Sequence, residues 1–205
     1  MPRTGRPKGS TGRAAVLTTA QVRHVFRIAR SRQRLGSRAE AIFALSIGLG
    51  LRAKELAALK CRDVYDEKGR VRPVLHLKAT YTKGAKVRDV FISSPQVRDI
   101  LAGYGEQSLP WRSSHPDQPL FPSQKKGHLT SYSMARLLTA LYRESGIANS
   151  SSHSGRRTLI TRLAEKGIDL KAIAELAGHS SIRTTAMYVE ANPARLARIL
   201  GEVRW

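Results

Sequence analysis

The segment HSGRRTLITRLAEKGIDLKAIAELAGHSSIRTTAMY, residues 153–188, carries the densest chemistry in the chain. It opens with His153-Ser154-Gly155-Arg156, where a histidine and an arginine three residues apart share one face of a helix. Leu159, Ile160 and Leu163 mark the buried side of that helix, and Gly167 ends it. A second helix carries Leu170, Ile173, Ala174 and Leu176 and closes at Gly178. His179 follows that glycine, and Ser180 or Ser181 caps a third helix carrying Ile182, Met187 and Tyr188. Two histidines, an arginine and a tyrosine, with no metal-ligand cluster among them, suit attack on a phosphodiester by the tyrosine.

The rest of the chain supplies the right environment. Its 36 Lys and Arg against 15 Asp and Glu give a net charge of +21, a field that favours a polyanion. A membrane surface is the weaker partner, because no apolar run approaches the roughly 18 residues of a span and no signal-peptide core follows the N-terminus. Cys61 is the single cysteine, which excludes an intrachain disulfide and a zinc-finger framework. With 205 residues, 41% of them apolar, the chain can bury one sizeable core. A soluble, intracellular nucleic-acid binder is the expected class. Basicity alone does not separate an enzyme from an architectural or ribosomal-type protein.

Upstream, Thr18-Thr19 caps a helix through Val22, Val25, Phe26 and Ile28; Gly36-Ser37 breaks it, and Ala39 to Ile47 reads as a mostly buried helix. Gly48-Leu49-Gly50-Leu51-Arg52-Ala53-Lys54-Glu55-Leu56 then sets Arg52 at a loop-to-helix junction, where a guanidinium can be aimed into a cleft. Glu55, three residues on, can hold that arginine or its helix through a charge-assisted bond. Taken alone, the pattern is better read as a surface arginine with a local ion pair. From Val64 the period changes: Asp66-Glu67-Lys68-Gly69 is a turn, Val74 to Lys78 is strand-like, and Lys83-Gly84 turns into a returning strand at Val87, Val90, Phe91 and Ile92. A lysine at a glycine turn is usually just exposed, but it can also reach over DNA and protonate a leaving oxygen. Lys86 and Lys78 compete with Lys83 for that role.

Further helices are expected over Pro95–Glu106 and from Ser131 or Ser133 through Leu141, with a loop from Trp111 to Pro122 and a polar break at Asn149–Ser152. After Pro193, Leu196, Ile199, Leu200 and Val203 form an amphipathic stripe for the chain's own domain or a neighbour's groove. At the other end, residues 1–17 read as a flexible basic tail. Up to Ala39 the chain holds nine arginines and Lys8 before the first acid, Glu40. Gly5-Arg6-Pro7-Lys8 resembles the core of an AT-hook, with Arg3, Arg6, Lys8 and Arg13 available to DNA. A merely solvated basic tail is the favoured reading of the two.

Arg52, Lys83, His153-x-x-Arg156, Gly178-His179 and Tyr188, in that order, resemble the tyrosine recombinases of the phage integrase family. Gly-Leu-Arg-x-x-Glu-Leu at 50–56 matches the first arginine box, and Lys83-Gly84-x-Lys86-x-Arg88 matches the hairpin lysine. The steps of 26 residues from His153 to His179 and nine to Tyr188 match as well. One box is weak, whereas five in order are specific. Gly155 stands where the family usually has leucine, and Arg157 where histidine is common. The resemblance covers about residues 18–200. It implies an α+β fold, a mostly helical catalytic domain over 18–205 with a small antiparallel sheet. No separate core-binding domain is expected before it, as in the invertases that flip fimbrial promoter segments.

The resemblance further implies that Tyr188 attacks the scissile phosphate to give a 3′-phosphotyrosyl enzyme, while Arg52 and Arg156 neutralise its oxygens. His153 handles a proton, His179 bonds a phosphate oxygen, Lys83 protonates the leaving 5′-oxygen, and Glu55 supports the arginines. Lys86, Arg88 and Arg157 join the basic tail as expected DNA contacts. No metal or cofactor is implied. The expected partner is double-stranded DNA bearing specific recombination sites, with four protomers exchanging C-terminal segments, in a bacterial, phage or mobile-element setting in the cytoplasm at the nucleoid. Integration, excision and inversion all fit. The alternatives are a DNA-binding regulator that keeps the fold without its chemistry and a relaxing enzyme like the type IB topoisomerases.

Overall fold

A computed structural model describes residues 14–33, 35–81, 87–108, 116–124, 127–188 and 201. Its elements are α1 (Thr19–Ser31), α2 (Gly36–Gly48), α3 (Ala53–Ala58), α4 (Cys61–Val64), β1 (Val74–Leu77), β2 (Arg88–Phe91), α5 (Pro95–Ser108), α6 (Ser131–Glu144), α7 (Ser154–Glu165), α8 (Leu170–Ala177) and α9 (Ile182–Ala186). The expected mix of many helices with one small antiparallel sheet is observed. Among the described residues no helix is long and apolar enough to cross a membrane.

α2 is the central element. Ala39 and Ala41 through Ile47 are all buried, so the helix is wrapped on nearly every side, by α1, α5 and α7 among others. Thr18 caps α1 through a reciprocal capping box with Gln21, as its position before the apolar period predicts. Gly36, expected to lie in a break, is instead the first residue of α2. Its missing Cβ matters there, since one would stand 2.6 Å from the Arg30 carbonyl oxygen. α6 starts at Ser131, one of the two expected starts, with Thr130 as its cap.

The hairpin pairs Val74 with Phe91, Leu75 with Val90, His76 with Asp89 and Leu77 with Arg88. Alternation decides its faces: Leu75, Leu77 and Val90 are buried, while the hydrogen-bonded His76 and Asp89 side chains lie outside. The turn before it closes with Gly69 N–H donating to the Asp66 carbonyl at 3.0 Å, at a φ of 75°.

The C-terminal helices carry their own small cluster of Ile160, Ala164, Ile173 and Ala177, against which Leu163 and Tyr188 pack. Two sequence expectations are corrected here. Residues 14–17, read as the end of the basic tail, lie along α7: Leu17 is 2% exposed and its N–H donates to Thr158 Oγ1 at 2.9 Å. Met187 and Tyr188, expected on the third helix, fall at and beyond its C-cap; Ile182 and Met187 are exposed, and the buried member of α9 is Thr185. The apolar stripe of residues 196–203 and the tail residues Arg3, Arg6, Lys8 and Arg13 lie outside the described residues, Gly201 apart.

Candidate active site

α8 ends at Gly178, whose φ of 62° lets the chain turn sharply out of the helix. The last carbonyls of a helix lack intrahelical donors and sit at the negative end of its dipole. Here guanidiniums from three other elements satisfy them. Arg88, first residue of β2, donates to Leu176 O at 2.5 Å; Arg156 of α7 donates to Ala177 O; Arg52, at the N-cap of α3, donates to Gly178 O at 3.2 Å. The order of acceptors along the chain is the order of a helix end, so one turn of backbone gathers three cations.

Each arginine has a second anchor. Arg156 donates to Gly50 O at 2.7 Å, in the tight turn where Gly50 has a φ of 65°. Arg52 and Arg88 share Glu55. Its Oε1 accepts from Arg52 Nη1 at 2.8 Å, and its Oε2 accepts from the Arg52 backbone N–H at 2.8 Å and from Arg88 Nη2 at 3.0 Å. Glu55 is fully buried and Arg156 is 2% exposed, while the Arg52 side chain is 21% exposed, so the ion network is withdrawn from water except at Arg52. Burial, helped by the neighbouring Arg52 charge, pushes the Arg156 guanidinium down to about 10, still protonated at neutral pH. Burial likewise lowers Arg88.

His179 follows Gly178 directly and is half-buried, its Nδ1 2.8 Å from Thr185 Oγ1. Its ring stacks on Tyr188, with centroids 5.6 Å apart and planes at 21°. Burial first, then the charges of Arg156, Arg52 and Arg88, push His179 down to about 4, so the ring is neutral at pH 7. Tyr188 lies just past α9. His153 is the exposed N-cap residue of α7, one turn before Arg156. Lys83 and Lys86 lie outside the described residues.

A pH dependence follows from His179. Between about 4 and its ordinary value of 6.5, the unfolded chain binds a proton there that the folded chain does not. Stability therefore rises with pH across that window and is lost as pH falls from 6.5 towards 4. Denaturant midpoints measured over this range should fall less steeply toward acid in His179→Gln than in the native chain; equal slopes would contradict the assignment.

Two arginines expected to contact DNA have partners within the chain. Arg157 is 8% exposed and donates through Nη1 to Ala14 O at 2.8 Å, tying the N-terminal segment to α7. The Arg88 side chain is 9% exposed and faces Glu55. Thr185, the partner of His179, went unnoticed in the sequence because nothing in its spacing separates it from Thr184. Gly155, where a leucine was usual, has a packing reason: a Cβ there would stand 2.6 Å from Ser46 Oγ and 3.0 Å from the Tyr142 hydroxyl, both on fully buried residues. Gly155→Ala should lower the thermal midpoint, because overpacking costs about 1–3 kcal/mol and outweighs the gain of up to about 1 kcal/mol from alanine in a helix. A midpoint at or above native would mean that Ser46 and Tyr142 yield freely.

Fold and site together define a class: a mostly helical domain in which arginines from separate elements gather on a helix C-terminus beside a histidine and a tyrosine. The family model described as "Phage integrase family" matches residues 15–195. The chain belongs to that family. It is 32% identical over 169 residues to a tyrosine recombinase XerC of Myxococcus xanthus, covering 80% of this chain and 54% of the relative. A tyrosine recombinase XerD of Listeria monocytogenes is 28% identical over 193 residues, covering 93% of this chain and 62% of the relative. The chain thus spans only about half to three-fifths of the curated relatives it matches. Among solved structures, the XerA recombinase shares the fold at a TM-score of 0.73 and 22% identity, over 98% of this chain and 68% of that one. The XerH site-specific recombinase bound to palindromic difH substrate in a post-cleavage complex does so at 0.71 and 21% identity, over 91% of this chain and 52% of that one.

Proposed function

We propose that the chain is a tyrosine-type site-specific DNA recombinase, cutting and rejoining double-stranded DNA through a 3′-phosphotyrosine. The observation that carries this reading is the convergence of Arg52, Arg156 and His179 on the end of α8, with Tyr188 stacked on His179. In this reading Tyr188 Oη attacks phosphorus and displaces the 5′-oxygen, and its proton passes to His153. Arg52 and Arg156 hold the non-bridging oxygens as charge builds, with planar donor forks that stay protonated. They are already fixed by backbone carbonyls, so little reorganisation is needed when the phosphorane forms. With the Thr185 hydroxyl donating into Nδ1, the neutral His179 ring carries its proton on Nε2 and donates it to a phosphate oxygen. Lys83 protonates the departing 5′-oxygen. The covalent link keeps the bond energy, so a partner strand's 5′-hydroxyl can reverse the step and reseal DNA.

Residues 18–205, with the packed residues 14–17, form the catalytic unit in this proposal, and Arg3, Arg6, Lys8 and Arg13 add non-specific hold on DNA. Four copies synapse two sites, coupled by C-terminal segments passed between neighbours, in the bacterial or phage setting of the relatives. Deleting residues from 194 onward should impair assembly of the four-copy complex more than binding to a single site. Native synapsis by that truncation in a gel-shift series would remove tail exchange from the proposal.

The function is tested with a duplex selected from a randomised pool by binding to this chain, nicked near the exchange point so that cleavage releases a short fragment. A protein–DNA adduct stable to denaturant supports the recombinase. Tight binding with no adduct would mean a regulator that keeps the fold without the chemistry.

A further inference from the structure

Arg88 is the third guanidinium on the end of α8, and the recombinase chemistry leaves it without a task. Its geometry is nonetheless built. Nη1 donates to Leu176 O at 2.5 Å and Nη2 to Glu55 Oε2 at 3.0 Å, with the side chain 9% exposed. The second Glu55 oxygen belongs to Arg52 Nη1, so the buried carboxylate is shared between the two arginines. The stem of Arg88 also fills the space beside Gly178: a Cβ there would stand 2.5 Å from Arg88 Cδ and 2.8 Å from its Nε. Gly178 is therefore required twice, for its positive φ and for the arginine lying against it.

We propose that Arg88 is a positioning residue: bridging Glu55 and the end of α8, it fixes Arg52 and the Gly178–His179 turn in the geometry that receives the scissile phosphate, and it does not itself touch DNA. This rests on the reading of Arg52 and His179 as phosphate ligands. Without Arg88, the buried Glu55 charge is left to Arg52 alone, which pulls that guanidinium toward the carboxylate and away from an incoming phosphate. The Leu176 carbonyl loses its donor and the α8 turn loses its side support. A lysine cannot substitute, because one ammonium on a flexible stem does not reproduce a planar fork set across two acceptors.

The test uses Arg88→Gln and Arg88→Lys in the full chain, with three readings. The first is DNA affinity against salt, where a lost phosphate contact would flatten the log–log slope by about 0.9; no change of slope is expected. The second is single-turnover adduct formation at saturating DNA, expected to slow about 100-fold, the scale of a misplacement near 1 Å. The third repeats this with a methylphosphonate at the scissile position, which lacks the charge that Arg52 neutralises. The deficit of Arg88→Gln should then shrink, in parallel with that of Arg52→Ala.

A flattened slope with a native single-turnover rate would make Arg88 an ordinary DNA contact. Slow cleavage that the methylphosphonate leaves untouched, while it rescues Arg52→Ala, would show that Arg88 does not act through Arg52. Should Arg88→Gln fail to fold by circular dichroism, the same readings on Arg88→Lys decide. If the native chain forms no adduct at all, it is the phosphate-cleaving reading that falls, and the salt slope still reports whether Arg88 meets DNA.

Discussion

Tyr188→Phe is expected to bind its selected duplex with native affinity and to form no covalent complex. The substitution removes a single oxygen. The ring keeps its stack on His179 and its packing against the cluster of Ile160, Ala164, Ile173 and Ala177, so stability should change by no more than about 0.5 kcal/mol. Cleavage, by contrast, loses its nucleophile, and a positively charged pocket offers nothing to replace it. Denaturing gels after incubation with the nicked duplex, paired with a binding isotherm, separate the two effects. An adduct that survives the substitution would assign the chemistry to another side chain.

Arg156→Ala should be nearly as severe, for two reasons that can be measured apart. In the site, it removes a guanidinium held between Gly50 O and Ala177 O at the end of α8, the group proposed to hold a non-bridging phosphate oxygen. Losing one such preorganised donor costs about 10²–10³-fold in rate, and here a full charge goes with it, so a fall of about 10³-fold or more is expected. In the fold, two buried carbonyls lose their donor at about 1–3 kcal/mol each, offset in part by relief from burying the charge. The urea midpoint should therefore fall as well. Arg156→Lys restores the charge without the fork and should recover little of the rate in single-turnover assays. Native-like cleavage by the lysine variant would show that charge alone suffices there.

Much of this was legible in the sequence because the deciding features are local. The Thr18 cap, the turn at Gly69, the alternation of the hairpin, and the left-handed exit at Gly178 each follow from a few neighbouring residues. Arg52 at its loop-to-helix junction, with Glu55 one turn on, is of the same kind. What the sequence concealed depends on partners far along the chain. Arg88 and Arg157 carry the same charge as any surface arginine, and only Leu176 O and Glu55 for the one, and Ala14 O for the other, turn them inward. Gly155 reads as a departure until Ser46 and Tyr142 are seen in the space that a side chain would need. Thr185 is told apart from Thr184 only by the way the Ser181 cap orients α9 under His179.

The distribution of roles also differs from a simple list of catalytic groups. The end of α8 acts as an organiser: its free carbonyls collect the cations, and the glycine that ends it presents His179. Segment 153–188 supplies that organiser, one arginine, both histidines and the tyrosine, while Arg52, Glu55 and Arg88 reach it from the first half of the chain.

The most direct measurement is the identity of the covalent bond. The native chain is reacted with a nicked duplex labelled separately on each side of the exchange point, then digested and sequenced by mass spectrometry. Catalysis by Tyr188 predicts one modified peptide, joined through the Tyr188 oxygen to a 3′-phosphate, with a free 5′-hydroxyl on the opposite fragment. A 5′-phosphate linkage, or attachment through a serine or a different tyrosine, would contradict it.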